Sequence, residues 1–100
     1  MRMVLEVSIP NDPFNAMVRE GTAAKAMQKI LESNKPQGAY FMEVNGLRTG
    51  ILIVELSETS QIPKLCEPWF LTFNAQCRLR PCMTPEDLAK SGIDQLGKAW

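Results

Sequence analysis

Histidine is missing from the chain altogether. Its absence removes the side chain that titrates nearest neutral pH, which is also the commonest metal ligand. Ser-His-Asp and Cys-His catalysis are excluded, and with them most zinc and haem sites. Cysteine is scarce: Cys66, Cys77 and Cys82 form an odd set without C-x-x-C spacing. That pattern opposes a disulfide framework and makes reduced thiols in a cytoplasmic setting the expectation. No apolar run approaches the roughly 20 residues of a membrane helix, and Glu6 cuts the apolar opening, so neither a span nor a secretory leader is expected. An excess of one charge is lacking too. Eleven basic and eleven acidic residues sum to zero and are mixed along the chain, which argues against a nucleic-acid or anionic-membrane binder. A glycine-rich phosphate loop is also absent. No cofactor and no metal is called for.

What is present is a globular composition of one domain, residues 1–100, with 45% hydrophobic residues. The strongest local signal is Ala39 to Leu56, AYFMEV-NG-LRTGILIVEL. Asn45-Gly46 supplies the two positive-φ positions of a type I′ hairpin turn. With that turn, Val44 faces Leu47, Glu43 faces Arg48 as a favourable ion pair, and Phe41 faces Gly50, over which its ring can lie. The second strand is apolar on both sides: Ile51 and Ile53 point one way, Leu52, Val54 and Leu56 the other. A sheet with one solvated face should alternate apolar and polar, so both faces of this one should be covered.

The flanking segments complete a pattern. Met3 to Ile9 alternates as a strand, with Met3, Leu5, Val7 and Ile9 on one face. Asp12-Pro13 is an N-cap followed by a first-turn proline, opening a helical region to about Ser33. Gly21-Thr22 marks a kink in it or a split into two helices. A second helical region, about Gln61 to Asn74, has a stripe of Ile62, Leu65, Cys66, Trp69, Phe70 and Phe73; Pro68 should bend or break it. Ala75 to Cys82 is a fourth strand, and Pro81 suits an edge. Thr84-Pro85-Glu86-Asp87 opens a capped last helix with Leu88, Ile93, Leu96 and Trp100 on its apolar side. The order is β-α-β-β-α-β-α. Its first six elements are the ferredoxin-like βαββαβ plan, an α+β fold with a four-stranded antiparallel sheet in strand order 4-1-3-2 and an extra C-terminal helix. One face is left without helices, and a second copy of the chain is the economical cover for it.

Three segments carry a resemblance: MRMVLEVSIP, GAYFMEVNGLRTGILIVEL and EPWFLTFNAQCRLRPCMTPEDLAK. They resemble a group of short, uncharacterised bacterial proteins of the dimeric α/β-barrel superfamily, in which two ferredoxin-like protomers meet sheet to sheet. The likeness implies a homodimeric α/β barrel; some superfamily members are cofactor-less oxygenases, isomerases or haem-degrading enzymes. Members that depend on histidine have no match here, and the shared motifs are structural rather than catalytic.

Candidate chemistry sits on the sheet face away from the helices: Glu6, Ser8, Gln76, Arg78 and Arg80, with Tyr40 within reach. Glu6 is the candidate base and Arg78 its catalytic partner. Ser8, Tyr40, Gln76, Arg80 and Trp69 are candidate ligand contacts, arginine being suited to a carboxylate. The competing reading is an interface salt-bridge network without a ligand. The three thiols read as structural. The expected function is a homodimer that binds a small apolar or aromatic acid, with cofactor-independent oxygenase- or isomerase-like activity. The alternative is a non-catalytic assembly or regulatory ligand-binding module.

Overall fold

The hairpin organises the rest of the molecule. In a computed structural model describing residues 1–100, Asn45 and Gly46 take φ of 53° and 80°, as a type I′ turn requires. They join β2 (Gly38–Val44) to β3 (Leu47–Glu55). β1 (Arg2–Ile9) pairs with β3, and β4 (Gln76–Pro81) pairs with β1. All three pairings are antiparallel and the order is β2-β3-β1-β4. This arrangement is compatible with a ferredoxin-like fold, and it puts Pro81 on an edge strand, where its missing N–H costs no ladder bond.

Period-two alternation sorts the strands onto two unlike faces. Leu5, Val7, Ile9, Leu52 and Val54 are at most 1% exposed on one face. Over them lie α1 (Asn11–Glu20), α2 (Ala23–Asn34) and α3 (Ile62–Phe73). Gly21, at φ 79°, ends α1 and donates its N–H to Met17 and Val18 carbonyls, so the first helical region is two helices. The position before α1 is Pro10 rather than the expected cap Asp12, which lies inside the first turn in an extended conformation and makes no side-chain cap bond. A short 3₁₀ turn (Thr59–Gln61) leads into α3, which runs through Pro68 without breaking.

Asn34 ties the helix layer together. It is 6% exposed; its Nδ2 donates to the Leu65 carbonyl at 3.3 Å and its Oδ1 accepts from Trp69 Nε1 at 2.9 Å. Both ends of the amide are thus satisfied in the core, where an unpaired polar group would cost about 1–3 kcal/mol. Phe73 is fully buried and meets Phe14 edge-on at 5.1 Å. Phe70 departs from its expected place in the buried stripe: it is 38% exposed, because α3 turns that position outward.

Two further expectations need correcting. The C-terminal segment is not one helix but α4 (Pro85–Lys90) and α5 (Ile93–Ala99), parted by Gly92 at φ 71°. The cap is as expected: Thr84 Oγ1 accepts from the Asp87 N–H at 3.1 Å and Asp87 Oδ2 accepts from the Thr84 N–H at 3.0 Å. The apolar stripe, however, covers nothing. Leu88, Ile93, Leu96 and Trp100 are all exposed, Trp100 completely. The Glu43–Arg48 ion pair does not form either, although the two residues are cross-strand partners. Glu43 Oε2 instead accepts from the Gly46 N–H at 2.9 Å, securing the turn. Arg48 donates to Asn15 Oδ1 at 2.7 Å and lies 4.8 Å from the Phe14 ring centroid.

Candidate functional site

Strand register builds the candidate site in rows across the helix-free face. Tyr40, Ile51, Glu6 and Arg78 form one row; Met42, Thr49, Ser8 and Gln76 the next; Gly38, Ile53, Val4 and Arg80 a third. The face is therefore divided. The β2–β3 half is mainly apolar, and the β1–β4 half carries the charge. Alternation on β1 and β4 produces this directly, because the inward residues of both strands are apolar and the outward ones polar.

Glu6 is the centre of the polar half. Its Oε2 accepts from Arg78 Nη1 at 3.2 Å and its Oε1 from Arg80 Nη2 at 3.0 Å. The carboxylate is 21% exposed, the guanidiniums 54% and 55%. So the acid is sheltered beneath two bases that face outward, and the cluster carries one net positive charge. Each guanidinium has five N–H donors, leaving most of them free for an anion. Each Glu6 oxygen accepts one of these bonds and keeps a second acceptor site.

A cleft of about 500 Å³ opens beside this cluster, lined by Glu6, Ser8, Gln76, Arg78, Pro10, Val44, Leu47 and the turn residues Asn45 and Asn74. The structure thus brings Glu6, Ser8, Gln76 and Arg78 together at one cleft, with Arg80 bonded to its acid. Tyr40 shares the face but stands two strands away, its ring over Gly38. Trp69 is not brought to this face. It is fully buried in the helix layer and its indole N–H is committed to Asn34, since helical spacing aims it at the core along with Leu65 and Phe73.

A second concavity went unnoticed in the sequence. A groove of about 460 Å³ lies on the helix side, between the start of α1 and the hairpin, lined by Ile9, Phe14, Met27, Phe41, Met42 and Thr49, with Arg48 and Glu43 at its mouth. Its signal was the pairing of Phe41 with Gly50. The ring does lie over that glycine, so close that a Cβ there would sit 3.1 Å from Phe41 Cε1.

The thiols are kept apart from both clefts. Cys66 is buried beside Cys77, whose Sγ lies 4.0 Å from the Cys66 carbonyl oxygen. Burial raises the pKa of both, Cys77 to about 12, so neither is a nucleophile near neutral pH. No cluster of His, Cys, Asp or Glu has the make-up of a metal site, and no helix is long and apolar enough to cross a membrane. No protein-family model and no curated protein matches the chain.

Proposed function

We propose that the chain works as a homodimer joined through its helix-free sheet face, in the manner of a dimeric α/β barrel, and holds a small organic acid at the Arg78–Arg80 pair. The observation that supports this reading is two outward-facing guanidiniums converging on one sheltered carboxylate beside a cleft. Glu6 orients both arginines and offsets half their charge, leaving a net cation in a partly desolvated place, a setting that favours a carboxylate ligand. An apolar or aromatic acid is favoured by the β2–β3 half of the same face, where Tyr40, Met42 and Val44 lie exposed. Cofactor-independent turnover of the isomerase or oxygenase kind is the catalytic form of this reading, with Glu6 taking a proton once the ligand carboxylate has drawn Arg78 away.

Titration of the purified protein with benzoate tests the reading. Benzoate should bind; Arg78→Ala should weaken it at least tenfold, and Glu6→Gln should strengthen it by removing the competing carboxylate. If benzoate does not bind a protein that sediments as a dimer, the acid-binding reading fails. The second reading then stands: a non-catalytic assembly module in which the cluster sets only the register of the interface. It too has an observation in its favour, the occupation of both Glu6 oxygens by arginine.

A further inference from the structure

Residues 83–100 form an arm that its own domain does not use. From Pro85 to Trp100 every residue but Gly92 is exposed. The molecule measures 59 × 29 × 18 Å, with a Cα radius of gyration of 16.7 Å, against about 13 Å for a compact chain of this length. Yet the arm is neither polar nor unstructured. It is two helices, the first capped by Thr84, carrying Met83, Leu88, Ile93, Leu96 and Trp100, each 44% exposed or more. The same chain leaves a second apolar surface open, the Tyr40, Met42 and Val44 row of edge strand β2.

We propose that the arm seats on β2 of a second copy, in a two-fold pair whose axis runs parallel to the strands, and that each acid site is thereby composite. The inference rests on the sheet-face dimer proposed above and names its geometry and the missing wall of its site. An axis along the strands sets β4 of one copy opposite β2 of the other. The net-positive β1–β4 half then meets the partner's β2–β3 half, whose one charged side chain on this face is Glu55, paired with its own N-terminal amine. An axis across the strands would press two net-positive halves together, which is unfavourable.

The arm leaves from β4, so the parallel axis delivers it to the partner's β2 edge, where the exposed apolar row waits. The lengths agree: thirteen helical residues at 1.5 Å each span about 20 Å, and the seven residues of β2 span about 23 Å. The area agrees as well. Eight exposed apolar side chains hold on the order of 600 Å² per chain, at the 50–100 Å² each that underlies side-chain transfer energies. A two-fold pair buries that twice, reaching the lower range of stable interfaces. In this pair the Glu6 floor of one copy faces Ile51 and Ile53 on β3 of the other, which supply the apolar wall the cleft lacks.

The test places the photo-crosslinker p-benzoylphenylalanine at position 100 of the full-length chain, at a side chain that is fully exposed and so dispensable for folding. Nitrogen-15-labelled and unlabelled chains are mixed, irradiated and digested. Cross-links should join an arm of one isotope to a β2–β3 peptide of the other, and Leu96→Asp should raise the dimer dissociation constant at least tenfold in sedimentation equilibrium. Cross-links confined to a single isotope, showing the arm folded onto its own sheet, would overturn the proposal. So would an intact dimer that yields none; in that case the sheet-face dimer survives without the arm. A monomer at all concentrations removes both.

Discussion

The two faces of the one sheet are built from the same strands and meet opposite fates. On β3, Leu52 and Val54 face the helices and are wholly buried, while Ile51 and Ile53, one residue out of phase, face away and stay partly exposed. The residue types hardly differ; the cover does. Within one chain there are three helices for the first face and none for the second. An apolar strand is therefore compatible with burial on both sides but does not say whether both are covered. The polar half of the open face adds a lesson about charge. Glu6 lies among groups that pair with it, so a strand that is polar on its outer side is not thereby a solvated strand.

The comparison can be broken first at its buried side. Leu52→Asp puts an unpaired carboxylate in the core and should cost more than about 4 kcal/mol, enough to abolish folding; a cooperative urea transition near the wild-type midpoint would contradict it. Next in size is Asn34→Ala, which orphans the Trp69 indole N–H and takes from the Leu65 carbonyl its side-chain donor. A loss of about 2–3 kcal/mol is expected from the cost of unmade buried hydrogen bonds, read from the same unfolding curves.

Ile53→Asp carries the comparison to the open side. It should leave the isolated chain folded, with a loss of about 1 kcal/mol, and should remove the proposed sheet-face dimer in sedimentation equilibrium. Equal damage from Leu52→Asp and Ile53→Asp to the folding of the isolated chain would erase the distinction between the faces.

The smallest effect belongs to the thiol pair and is confined to alkaline solution. The folded Cys77 pKa, about 12, lies above its ordinary value of 9.0, with burial the main cause. The neutral thiol's contribution is therefore intact below about pH 9 and is lost as pH rises from there through 12, because the unfolded chain ionises first. The stability difference between wild type and Cys77→Ala should accordingly shrink between pH 8 and pH 10.5. Iodoacetamide should label Cys66 and Cys77 slowly until the chain unfolds.

Much of the fold was legible because local rules and tertiary demand agree. Asn45-Gly46, the interruption at Gly21, the Thr84–Asp87 cap and the alternation of β1 and β4 each have a backbone or periodicity cause within a few residues. The site was legible in part for the same reason: Glu6, Ser8, Gln76 and Arg78 share a face once strand order is known. Failures came where several partners compete for one group. Glu43 had a cross-strand arginine and a turn N–H in reach, and took the nearer. Arg48 found Asn15 and the Phe14 ring, neither of which is close in sequence. Trp69 is a core residue rather than a ligand contact, because its tie to Asn34 spans thirty-five positions and leaves no trace in periodicity.

By itself the sequence determined the strands and their order, the hairpin register and the two-sided apolar character of β3, because these follow from steric and periodic rules acting over short separations. Only the tertiary structure decided that one face is closed and the other open, that two arginines share Glu6, and that residues 83–100 stand clear of the domain. Those outcomes depend on which surfaces meet in space, and a stripe of apolar side chains reads alike whether it is buried in its own core or left for another chain.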